Sequence, residues 1–192
     1  MPNTNKINDK IDKDNTDIYI YEFLQSHIKY CNSIEAIKRN ITCNKNIRYP
    51  NFPEIISEYL AGKCYGKKFN KNTIFGKTGD IICDGKKIEV KCFTSTGPTS
   101  FGPKESWSEI IFVNAIHFRK NKYKIYHTKL SNNDHVWKNI KVNKNETYED
   151  QCDKGRRPRI NFHKLYEKIK DHTNIIFDGH IEFINNEILF IQ

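Results

Sequence analysis

The chain has 192 residues, enough for one domain with a well-filled core and cramped for two. Hydrophobic residues make up 37%, with twelve Phe and ten Tyr supplying bulk, and no run approaches the roughly 20 apolar residues that span a bilayer. Lys and Arg total 32 against 23 Asp and Glu, a net charge of +9 that suits a polyanion such as nucleic acid, although a Lys-, Asn- and Ile-rich coding background gives the same excess. The six cysteines show no Cys-x-x-Cys pair and no Cys/His group at zinc spacing. With no secretory leader in the opening residues, that pattern points to a reducing, cytoplasmic setting with free thiols.

In chain order, residues 1–17 read as a polar tail and 18–192 as a single domain. From Asp17 the pattern is helical, with Ser33 placed to start a second short helix. "PEIISEYLAGKCYG" is the best-marked helix, with Pro53 at its first turn, Gly62 near its end, and Glu54 and Glu58 four apart on one face. "GDIICDGKKIEVK" (79–91) reads as a β-hairpin. The segment 93–107, "FTSTGPTSFGPKESW", is a loop with two Gly-Pro steps, and 109–118 is a continuous apolar run of the kind found in buried central strands. Residues 122–130 alternate as its neighbour, and 131–160 are polar without periodicity. A helix is expected at 161–172 and a closing hairpin at Asn185-Asn186. Helices followed by a hairpin and a buried strand predict an α/β domain with a mixed β-sheet core flanked by helices.

The hairpin carries the chemistry. Alternation puts Glu89 and Lys91 on the face opposite Ile88 and Val90. A two-residue turn at Gly85-Lys86 sets Asp80 across from Lys91, whereas one at Asp84-Gly85 sets it across from Glu89. Either even register keeps Asp80, Glu89 and Lys91 on one face, and a three-residue loop would break the arrangement. Carboxylates at cross-strand spacing, about 5–8 Å, can both reach one Mg²⁺. Without a cation they repel, and one tends to take a proton. A surface hairpin with a weak Asp80–Lys91 ion pair is the plain alternative.

Asp80 followed by Glu89-Val90-Lys91, behind a Glu-bearing helix and ahead of a buried strand, resembles the PD-(D/E)XK nuclease superfamily, and type II restriction endonucleases in particular. Gly79 stands where the motif's name has Pro. The resemblance covers about residues 52–127 and implies a restriction-endonuclease-like fold hydrolysing double-stranded DNA to 5′-phosphate and 3′-hydroxyl ends. It implies Mg²⁺, with Mn²⁺ able to substitute, on Asp80, Glu89 and the Val90 carbonyl, with Glu58 or Glu54 in support. Lys91 would handle the attacking water. It also implies a homodimer on a palindromic site and, as genetic partner, a DNA methyltransferase, in a bacterial or viral setting. A junction resolvase or mismatch-repair nuclease, or a non-catalytic DNA-binding relative, would carry the same core.

Two further segments are expected to meet DNA. One is the 93–107 loop, through Thr94, Ser95, Thr96, Thr99, Ser100 and Lys104. The other is 153–160, where Lys154, Arg156, Arg157 and Arg159 surround Pro158 and match groove-reading arginines or, equally in composition, a solvated basic loop. The histidines are too dispersed for a metal or base role, and His27 suits a structural place in its helix.

Overall fold

The computed structural model describes residues 15–40, 47–76 and 79–192; Cys43 and most of the expected tail lie outside them. Helix α1 (Thr16–Asn40) is continuous and buries Ile20, Leu24, Ile28, Cys31 and Ile34 along one stripe. No second helix starts at Ser33, because its hydroxyl donates back to the Lys29 carbonyl at 3.0 Å and so is not used as a cap. Helix α2 (Glu54–Phe69) likewise runs through Gly62 instead of ending there, and stops at Asn70, which takes φ 51°. A Cβ at Gly62 would make only ordinary contact with Ile81 Cδ1, at 3.5 Å, so this glycine neither ends the helix nor is required by its packing.

Beyond α2 come β1 (Ile74–Gly76), β2 (Gly79–Cys83), β3 (Lys86–Phe93), β4 (Pro98–Ser100), β5 (Glu109–His117) and β6 (Lys122–Thr128). Short helices α3 (His135–Lys138) and α4 (Tyr148–Asp153) lead to β7 (Arg159–Asn161), α5 (Phe162–Ile169), β8 (Thr173–Ile184) and β9 (Glu187–Ile191). Seven strands form one sheet in the order β1-β2-β3-β5-β6-β8-β9. Only β3 and β5 pair in parallel; the other neighbours are antiparallel. This mixed sheet with flanking helices is a restriction-endonuclease-like architecture, and its closing hairpin turns at Asn185-Asn186, both with positive φ.

Alternation along β5 divides the interior into two cores. Ile111, Val113 and Ala115 face α1 and α2 with Ile81, Ile88 and Val90. Ile110 and Phe112 face the other way, into a core with Phe101, Trp107, Trp137, Tyr148, Ile160 and Leu165. Residues 131–160 thus fold around aromatic anchors too widely spaced to show a period. His27, buried against Phe52 and Phe118, is structural as expected. None of the described helices is long and apolar enough to cross a membrane.

Asp17, expected to close the tail, belongs to the fold. Its buried carboxylate accepts from Tyr59 and Lys63 of α2 and from the Ile188 backbone N–H of edge strand β9. Burial acts to raise its pKa, but the bonds from Lys63, Tyr59 and Ile188 outweigh it and leave the value lowered. Its contribution is therefore present above the unfolded carboxylate range, near 3.9, and is lost as pH falls through the folded value. Asp17→Ala is expected to cost about 2–4 kcal/mol at pH 7 in urea unfolding, with the deficit shrinking toward pH 3.

Candidate active site

The hairpin takes the Asp84-Gly85 register: Ile81 pairs with Ile88, Ile82 with Lys87 and Cys83 with Lys86. Asp84 and Gly85 both adopt positive φ, 50° and 73°, the conformation a tight two-residue hairpin requires. Continued one step, that register sets Asp80 opposite Glu89. The Val90 N–H donates to Asp80 Oδ2 at 2.6 Å and fastens the carboxylate to β3. Ile81, Ile88 and Val90 enter the helix-side core, so Asp80, Glu89 and Lys91 share the opposite face, as the alternation predicts. In the parallel pairing Glu89 and Lys91 stand beside Ile110 and Phe112, at the margin of the second core.

Burial gives this face its electrostatics. Glu89 is 8% exposed, and its pKa is pushed up to about 7 by burial, with Lys91 opposing and Asp80 and Glu105 adding to the rise. Glu58, on α2, also reaches about 7, by burial first and then by the charges of Asp80, Glu54 and Glu89. Asp80 is raised by burial as well, against its bond from Val90 and the nearby Lys91. Lys91 lies 2.6 Å from Glu89 and 3.0 Å from Glu105. Burial alone would lower its pKa, but these carboxylates outweigh it and keep the ammonium charged.

In donor type the face fits a hard cation, since it offers carboxylate oxygens under mutual repulsion. Asp80 and Glu89 are the residues able to hold one, with Glu58 within range of their charge and Glu54 exposed a turn away. Among the described residues no three His, Cys, Asp or Glu side chains converge tightly enough to encircle an ion, and Glu89 is paired with Lys91.

The two segments expected to meet DNA come together. β4 and β7 form a separate two-stranded sheet, pairing Pro98 with Asn161, Thr99 with Ile160 and Ser100 with Arg159. Thr94, Ser95, Thr96, Lys104, Arg157 and Arg159 are exposed and Ser100 is half-buried. Thr99 is buried, its alternate position on β4 turning it inward, so the surface place expected for it is corrected. Lys154 and Arg156 are exposed but paired with Glu146, at 2.8 and 3.1 Å. Sequence reasoning missed Glu105, although it is the one acid between Phe93 and Trp107.

The fold is that of a restriction-endonuclease-like protein. The family model for the Bsp6I restriction endonuclease matches residues 13–169. The chain belongs to that family and is a restriction endonuclease. It is 33% identical over 133 residues to the type II restriction enzyme Bsp6I of Bacillus sp. (strain RFL6), covering 67% of this chain and 72% of that enzyme. No solved structure matches.

Because Glu58 has a folded pKa above its unfolded value, its contribution is favourable below about pH 4 and is lost as pH rises through about 7. Glu58→Gln is therefore expected to melt about 2–4 °C above the unsubstituted protein at pH 8 without divalent metal, and level with it at pH 4, in calorimetry.

Proposed function

We propose that the chain is a type II restriction enzyme of the PD-(D/E)XK kind, cutting double-stranded DNA at a specific sequence with Mg²⁺ or Mn²⁺. The observation that carries this reading is the shared face of Asp80, Glu89 and Lys91 in a member of a restriction endonuclease family. Asp80 and Glu89 would hold the cation with the Val90 carbonyl, and Glu58 is better placed than exposed Glu54 to support it. When bound, the cation supplies positive charge to phosphate oxygens and makes a nearby water more acidic.

The protein's own groups supply the rest. The Lys91 ammonium, anchored by acids on two sides, orients a water for in-line attack and faces the negative charge that grows on phosphorus. The P–O3′ bond breaks, leaving a 5′-phosphate and a 3′-hydroxyl. Thr94, Ser95, Thr96 and Lys104 contact the backbone, and Arg157 and Arg159 are placed beside them by the β4–β7 pairing to read base edges. Each chain has one such acid–lysine face among its described residues, so cutting both strands calls for a homodimer on a two-fold site. A methyltransferase that protects the same sequence would be its genetic partner.

Plasmid digestion with Mg²⁺ is the test. Discrete fragments are expected from the unsubstituted protein, and removal of the metal with a chelator should stop cutting. Lys91→Ala should bind DNA yet cut at least about 10³-fold more slowly, in line with the loss of a group acting on developing charge. Undiminished cutting by Asp80→Ala would reject the site.

A further inference from the structure

The surroundings of Lys91 connect the cutting face to the segments proposed to read DNA. Its ammonium lies 2.6 Å from Glu89, 3.0 Å from Glu105 Oε2 and 5.8 Å from the centre of the Phe101 ring. Glu89 stands next but one in the same strand; Phe101 and Glu105 belong to the chain that leaves β4. That chain is fastened to the basic segment: Ser100 pairs with Arg159, and the Phe101 N–H donates to the Pro158 carbonyl at 3.0 Å. Gly102, Pro103, Lys104 and Glu105 then face Gly155 and Arg157 across an open cleft of about 450 Å³.

Glu105 is built to reach inward from this cleft. Its Oε2 is buried, and the Lys91 ammonium 3.0 Å away is its charged partner. The side chain folds over Gly102, where a Cβ would come within 2.6 Å of Oε1 and 2.8 Å of Cδ. A side chain at Gly102 would meet the flexible end of Glu105, which would have to shift from its path to Lys91.

We propose that Glu105 is a positioning residue that ties the Lys91 ammonium to the cleft between residues 102–105 and 155–157, so that DNA seated in the cleft sets where the lysine stands. The proposal rests on Lys91 acting as described under the proposed function. A lysine has four rotatable carbons and three equivalent donors. Held by Glu89 alone, its ammonium can swing; held by acids from two elements, it has one position, and that position moves with the loop. Displacement of a reacting group by about 1 Å costs on the order of 10²-fold in rate.

Single-turnover cleavage by the full-length protein with Mg²⁺, on a duplex carrying a site mapped from plasmid fragments, tests this. Glu105→Gln should cut about 10²-fold more slowly while its Kd for that duplex, measured in Ca²⁺, stays within about twofold. Glu105→Asp should recover part of the rate. Gly102→Ala keeps the acid but displaces it, and should fall as Glu105→Gln does. The Lys91→Ala, Glu105→Gln double variant should be no slower than Lys91→Ala, because Glu105 acts through the lysine. Wild-type cutting by Glu105→Gln, a loss confined to binding, failure of that variant to fold, or a double variant slower than Lys91→Ala would each overturn the proposal. A fully active Lys91→Ala would sink the site reading and this proposal with it; a dead Lys91→Ala beside a fully active Glu105→Gln would sink the Glu105 assignment alone.

Discussion

Asp84 and Gly85 turn the chain in two residues of positive φ, and that turn holds β2 and β3 in an even register. Everything chemical in the molecule depends on that parity. One residue more or less would send Asp80 to the opposite face from Glu89 and Lys91 and would bury charge among Ile81, Ile88 and Val90. The apolar partners on the helix side make such a slip costly, so the same residues that fill the core also keep the acids together. The parallel pairing of β3 with β5 then seats Glu89 and Lys91 at the margin of the aromatic core.

That location sets an opposition between stability and activity. Burial raises the pKa values of Glu58, Asp80 and Glu89, and neighbouring acids add to each rise, which a structure selected for stability alone would avoid. Lys91 offsets part of the repulsion and is kept charged by doing so. Under the proposed function, a bound cation and a phosphate-facing Lys91 would both relieve this repulsion. Asp17 does the reverse: its buried carboxylate is paired with Tyr59, Lys63 and the Ile188 N–H and joins α1, α2 and β9.

The legible parts of the fold were those with short-range signals. The hairpins over 79–91 and at 185–186, the apolar β5 and the Glu54/Glu58 helix all follow from turn chemistry and periodicity, while the choice between turns at 84–85 and 85–86 does not. Boundaries that depend on tertiary contacts were not legible. Gly62 and Ser33 look like helix punctuation, yet both helices run on through them. At the site, the Asp80, Glu89 and Lys91 facing was readable from alternation because one face had to be apolar. Glu105 was not, since nothing local signals that a loop acid will turn inward over a glycine. The pairing of β4 with β7 joins segments some sixty residues apart through ladder bonds and a shared core of Phe101 and Ile160, neither of which has a local signal.

The most direct measurement is a crystal structure of the Lys91→Ala protein with duplex DNA and Mn²⁺, the ion located by its anomalous scattering. The account expects one ion bound by Asp80 and Glu89 and touching a phosphate of the DNA, on the face opposite Ile88 and Val90. An ion held elsewhere, with those two acids turned away from the duplex, would contradict it.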